Sequence, residues 1–177
     1  MAGLGRAFSL GSVLFLCTGN AARSVFAGAM LGRLRADLSV ETAGTLALEG
    51  LPMSWRTRSA LEAVGLASPL PAHRSRQVTG DQLDRVDLVI AMAPEHVAWV
   101  RRNHAAAGAR TSTLKHLAGT LNGSTGPLAE RVARLGLAER TVEAREEIVD
   151  PAGGELGTFI ACAQEVVGLV RGLSDRL

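Results

Sequence analysis

The sequence predicts an α/β fold: a single three-layer domain, with a central parallel four-stranded sheet and helices on both faces. Three observations predict it. Short apolar runs alternate with longer stretches of helical periodicity, the order of a parallel sheet with crossover helices. The first run, residues 13–17 (Val-Leu-Phe-Leu-Cys), is apolar throughout, as a central strand buried on both faces requires. At 177 residues, 47% of them apolar and 20% charged, the chain suffices for one domain with a full core.

The elements follow in order. After the first strand, a helix is expected from Ser24 to about Ala36, with Phe26, Met30, Leu31 and Leu34 near helical spacing. Residues 38–45 read as a second strand ending in a Gly-containing turn. Ser54 opens and Gly65 stops a helix. Residues 86–92 form the third strand, and Pro94 suits the first turn of the helix after it. Residues 110–114 supply the fourth strand. Residues 121–126 are loop-like, and 127–143 are expected to be helical with a break near Gly136. The last helix runs from Glu155 to Leu173 on a seam of Phe159, Cys162, Val166, Leu169 and Leu173. No repeat or second domain is visible.

Composition excludes several functions. The formal charge is +2, with no basic stripe or interleaved aromatics, which argues against nucleic-acid binding. Arg6 and the apolar run 8–17 superficially resemble an export signal, but the bulky Leu16 is wrong for a cleavage site and the run reads as a buried strand. No stretch approaches the roughly 20 apolar residues that span a bilayer, so no membrane partner is expected. The two cysteines, Cys17 and Cys162, lie far apart without metal-ligand spacing, which suits a reducing, cytoplasmic compartment.

The chemistry concentrates where the first strand ends. Residues 17–24 (Cys-Thr-Gly-Asn-Ala-Ala-Arg-Ser) put a thiol at the strand terminus and a guanidinium six positions on. In such sheets ligands bind at the carboxyl ends of the strands. Cysteine reacts as the thiolate, and the loop N–H groups, the helix start near Ser24 and the Arg23 charge all favour that form. The same groups suit a tetrahedral oxyanion. Arg23 forks onto two oxygens, and the backbone of Thr18, Gly19, Asn20, Ala21 and Ala22 takes the others. Gly19 and Asn20 tolerate the backbone angles of a tight loop. The Ser24 hydroxyl can donate to the sulfur. Asp150-Pro151, just before the last helix, offers a carboxyl group to protonate a leaving oxygen and then activate water.

Taken together, these residues resemble the low-molecular-weight protein tyrosine phosphatase family. Residues 17–24 match its signature loop, and Thr42-Ala43-Gly44-Thr45 looks like its Ser-Ala-Gly-Thr segment. His73-Arg74-Ser75-Arg76-Gln77 resembles its His-x-x-Arg-Gln stretch, residues 86–92 its apolar strand ending in methionine, and Asp150-Pro151 its late Asp-Pro loop. The resemblance implies a phosphate monoester hydrolase acting through a cysteinyl-phosphate intermediate. It makes Cys17 the nucleophile, Arg23 the phosphate clamp and Asp150 the acid and base. Asn20, Ser24, Thr42 and His73 would form the hydrogen-bond network that shapes the loop. No metal or other cofactor is implied. The expected partner is a phosphotyrosine protein, such as a bacterial tyrosine kinase, or a small phosphate ester, with inorganic phosphate as product.

Several positions depart from the family pattern. Ala152 and Gly153 follow the Asp-Pro pair where many members carry tyrosines, and the chain has no tyrosine. Trp55 and Trp99 lie in amphipathic segments and are expected to pack. Ala21-Ala22 replaces the loop's second cysteine, Met92-Ala93 replaces Met-Asp, and extra length falls around residues 117–147. Cys162 reads as a core thiol. Arsenate reduction on the same scaffold, using an external low-molecular-weight thiol, is the rival chemistry. A phosphate-binding module without catalysis is the third reading, and the complete set of Cys17, Arg23 and Asp150 argues against it.

Overall fold

The computed structural model describes residues 11–66 and 72–177. Arg6 and Phe8, weighed above as part of a leader, lie outside the described residues. Four parallel strands, β1 (Ser12–Cys17), β2 (Ser39–Gly44), β3 (Leu88–Ala91) and β4 (Thr111–Thr113), stand in the order β2-β1-β3-β4. The chain leaves β1 for one neighbour and later returns to its other side. The carboxyl end of β1 is therefore the switch point, where a ligand site is expected.

Alternation along β1 divides the core in two. Val13, Phe15 and Cys17 pack with α1 (Arg23–Leu34) and α7 (Leu156–Ser174), while Leu14 and Leu16 face Leu83, Val86 and Val100 on the opposite side. α1 buries Val25, Phe26, Ala27, Met30 and Leu31. Leu34, expected on that stripe, is 43% exposed. α2 (Trp55–Ala63) is capped by Ser54, whose side chain accepts from the Thr57 N–H, and Gly65 beyond its end takes φ 78°.

On the other face lie α3 (Gly80–Arg85) and α4 (Pro94–Asn103), the latter with Pro94 at its start. The sequence reading missed α3, since six residues are too short to show a period. Its signal was the capping box of Thr79 and Gln82. α5 (Leu114–Thr120) follows β4 directly and was also missed.

The helix expected over 127–143 is corrected. Only α6 (Leu128–Ala133) forms; Gly136 then takes φ 62°, and the chain beyond is irregular up to a single 3-10 turn, Ala144–Glu146. Side chains hold this stretch instead of helical bonds. Arg101 donates to the Leu137 and Arg140 carbonyls at 2.7 and 2.9 Å. Arg140 forks onto Glu146 at 2.8 and 2.5 Å, and Thr113 donates to the same carboxylate. Burial opposes ionisation of Glu146, but the Arg140 and Thr113 hydrogen bonds outweigh it and push its pKa down to about 2.

At 19 residues α7 is long and apolar enough to cross a bilayer by length and composition, contrary to the expectation from apolar runs. Here one face of it is core. Phe159, Cys162, Ala163, Val166, Val167, Val170 and Leu173 are buried, and Leu169 only partly so.

Candidate active site

The loop after β1 is held from three sides. From the sheet, Thr45 N and Leu46 N donate to the carbonyls of Cys17 and Thr18 at 2.9 and 3.0 Å. Gly44 is indispensable to that approach: a Cβ there would stand 2.3 Å from the Thr18 carbonyl oxygen. From α2, the Thr57 hydroxyl donates to the Ala21 carbonyl at 2.9 Å. From beneath, Asn20 takes the left-handed conformation with φ 51°. Its Nδ2 donates to Ser24 Oγ at 3.0 Å, and its Oδ1 accepts from Arg76 N at 3.0 Å. His73 Nε2 donates to the Asn20 carbonyl at 2.7 Å. Burial lowers the His73 pKa, the Asn20 bond opposes this, and the charges of Arg76 and Arg74 lower it further.

Cys17 Sγ lies 3.1 Å from Ser24 Oγ. Among the described residues, no protein acceptor takes the N–H groups of residues 18–22. Arg23 is 2% exposed; its Nη1 donates to the Ile148 carbonyl at 3.1 Å, and Nη2 to Thr18 Oγ1 at 3.2 Å and Asp150 Oδ2 at 2.5 Å. Ile148 is itself fixed, its N–H donating to the Met92 carbonyl at 2.8 Å where β3 ends. Asp150 is 43% exposed, and its other oxygen accepts from Ala152 N at 3.0 Å.

Cys17, Thr18, Gly19, Ala21, Ala22, Arg23 and Asp150 line one pocket of about 420 Å3. Of the residues expected at the phosphate, Asn20 alone is off the wall; it is fully buried, and its side chain belongs to the supporting network. Thr42, expected in that network, stands outside it. It pairs with Phe15, two positions short of the strand end, and its methyl group crowds Gly28 of α1 rather than the loop. Residues 117–147 contribute nothing to the pocket wall. Their first half is tied to the C-terminus, where Arg131 donates to the carbonyls of Arg176 and Leu177, and their second half to Arg101 and Thr113.

Ala152 and Gly153, noted after the Asp-Pro pair, also line the pocket, and the residues from α2 were not foreseen. Ser54, Arg56 and Thr57 come from the start of α2, and Phe159 from α7. Trp55, expected to pack, is 60% exposed and carries the Arg56 guanidinium 4.9 Å above its ring. No spacing rule points to Thr57, because its partner lies in a loop far along the chain. His96 was also missed; its Nε2 is 2.9 Å from Thr18 Oγ1. Burial pushes the thiol of Cys162 up to about 12, in keeping with an inert core residue.

A family profile described as low molecular weight phosphotyrosine protein phosphatase matches residues 12–130. The chain belongs to that family. This low-molecular-weight phosphatase is 28% identical, over 93% of its length and 95% of the relative's, to a protein-arginine-phosphatase of Geobacillus stearothermophilus. It is 30% identical to EpsP of Ralstonia solanacearum, a probable low molecular weight protein-tyrosine-phosphatase, over 52% of its own length and 63% of that protein's. Among solved structures, the YwlE arginine phosphatase of G. stearothermophilus superposes with a TM-score of 0.72 at 28% identity, over 93% of this chain and 90% of that one. The low molecular weight protein tyrosine phosphatase of T. tengcongensis superposes at 0.75 with 25% identity, over 94% and 99%.

Proposed function

We propose that this phosphatase hydrolyses phosphate monoesters of proteins through a cysteinyl-phosphate intermediate. One observation carries the reading: Asp150, remote in sequence from Cys17 and Arg23, lines the same pocket as both. Arg23 leaves Asp150 to fork onto two oxygens of the bound phosphoryl group, and the N–H groups of residues 18–22 take the remainder. Cys17 Sγ attacks phosphorus; the S–P bond forms as the P–O bond breaks, and protonated Asp150 gives its proton to the leaving oxygen. The Asp150 carboxylate then takes a proton from water, whose oxygen attacks phosphorus and releases the sulfur and inorganic phosphate. The Ser24 hydroxyl, 3.1 Å from Sγ, stabilises the departing thiolate.

Phosphotyrosine in a protein, a bacterial tyrosine kinase for example, is the substrate that the family resemblance favours. A second reading, N-phosphoarginine, is favoured by the Geobacillus relative, which aligns along nearly the whole chain whereas EpsP aligns along half. Among the described residues Phe159 is the one aromatic group on the pocket wall, and Ala152 and Gly153 line it beside the acid. We place the reaction in the reducing cytoplasm, where both free cysteines remain thiols.

The test is kinetics of the wild type and Cys17→Ser on p-nitrophenyl phosphate, a phosphotyrosine peptide and a phosphoarginine peptide, with arsenate plus a small thiol as a fourth arm. Turnover of an ester by the wild type alone is expected. Equal rates for the two proteins reject the mechanism, and thiol-dependent arsenate reduction without ester hydrolysis replaces it.

A further inference from the structure

His96, in the first turn of α4, is 1% exposed and belongs to no part of the loop, yet it touches the loop at a decisive atom. Its Nε2 is 2.9 Å from Thr18 Oγ1. That oxygen accepts from Arg23 Nη2 at 3.2 Å, and the same nitrogen holds Asp150 at 2.5 Å. A chain of contacts therefore runs from α4 through the loop to the acid.

The protonation state can be worked out. Burial, then the Arg23 charge, with Asp150 opposing, push the imidazole down to about 4, so it is neutral near pH 7. A neutral ring has one N–H. Nδ1 has no partner among the described residues. Placing the proton on Nε2 leaves a lone pair unmatched rather than a buried N–H, the less costly arrangement. In that tautomer Nε2 donates to Thr18 Oγ1, and the Thr18 proton points to Glu95 Oε1 at 3.5 Å. The hydroxyl then faces two donors and the Glu95 carboxylate, whose Oε1 also lies 3.4 Å from His96 Nε2.

We infer that His96 is a positioning residue for the phosphatase reaction: through the Thr18 hydroxyl it sets where the Arg23 guanidinium stands. The inference rests on the clamp role given to Arg23 above. Among the described residues Arg23 has three anchors: the Ile148 carbonyl, Thr18 and Asp150. Asp150 must surrender its charge to act as an acid, and the anchor that it provides goes with it. Thr18 and Ile148 are what remain at that moment. A long side chain with free rotamers forks onto two oxygens only when such anchors hold it.

The experiment compares His96→Ala, His96→Gln, His96→Asn and Thr18→Val, reading kcat/KM on p-nitrophenyl phosphate, affinity for inorganic phosphate by calorimetry, and Tm. His96→Ala should weaken phosphate binding about tenfold, the usual worth of one hydrogen bond to a charged site. Gln carries an amide nitrogen out to the place of Nε2 and should restore most of the affinity. Asn reaches only the place of Nδ1 and should not. In the Thr18→Val background, His96→Ala should add less than about twofold, because residues in one network do not add. Wild-type phosphate affinity in His96→Ala with a lowered Tm, rescue by Asn as complete as by Gln, or full additivity with Thr18→Val would each overturn the inference. Should His96→Ala fail to fold, the Gln and Asn pair decides it. If the wild type binds phosphate but cleaves no ester, the hydrolase reading falls, while phosphate affinity still judges His96.

Discussion

Arg23 and Asp150 meet at 2.5 Å across a pocket that Cys17 also lines. The pair joins the first loop of the chain to the segment before its last helix, and each partner has a separate task once a phosphoryl group enters. The clamp must move onto phosphate oxygens, and the carboxyl group must turn to the leaving group. On the mechanism proposed above, turnover requires the two to separate when the ligand binds.

For Asp150→Ala, the loss should depend on the leaving group. An alkyl or phenyl phosphate, which needs a proton, should slow by about 10²–10⁴-fold, whereas p-nitrophenyl phosphate should suffer less. Plotting log kcat against leaving-group acidity for wild type and variant checks this. Parallel lines would remove Asp150 from the acid role.

Arg23→Lys keeps the charge but not the fork. Lysine also cannot reach Ile148, Thr18 and a phosphate with one planar group. A fall of about 10²–10³-fold in kcat is expected, the size seen when an oxyanion donor is removed. Competitive inhibition by inorganic phosphate should weaken with it, and unchanged inhibition would dismiss the clamp.

Gly44→Ala tests the close approach of sheet and loop. The added carbon meets the Thr18 carbonyl at 2.3 Å, and backbone there cannot swing aside as a side chain can. Overpacking of this kind costs about 1–3 kcal/mol. Urea unfolding and kcat/KM should both decline, since the atom displaced belongs to the phosphate loop. A variant as stable and active as wild type would show that the loop is not pinned there.

Stability should rise with pH through the acid range. Glu146 has its pKa depressed to about 2, so between roughly pH 2 and 4.5 the unfolded chain holds the extra proton and each step up in pH favours the fold. His96, depressed to about 4, acts in the same direction between about pH 4 and 6.5, because the buried ring stays neutral while the unfolded one is charged. Its share is on the order of 3 kcal/mol across that window. Urea melts of wild type and His96→Gln at pH 4 and 7 measure it: the wild type should gain more. Equal gains would mean that His96 is protonated in the fold.

Much of this was legible before the structure. β1, β3, α1, α2, α4 and α7 announce themselves through apolar runs or a repeating buried face, and caps such as Ser54, Pro94 and Gly65 mark their ends. α3, α5 and the curtailed α6 did not, because six or seven residues span fewer than two turns and show no period. Thr42 was misassigned for a related reason: a motif match gives a residue its neighbours in sequence, and strand alternation aims its side chain elsewhere.

By itself the sequence determined the parallel α/β architecture, the family and the loop at residues 17–24, since strand, glycine, cysteine and arginine are local neighbours. Tertiary structure alone decided which distant groups complete the site. Asp150 and the Ile148 carbonyl reach Arg23, Thr57 reaches Ala21, and His96 reaches Thr18, because a parallel sheet gathers the ends of its strands at one edge whatever their separation along the chain.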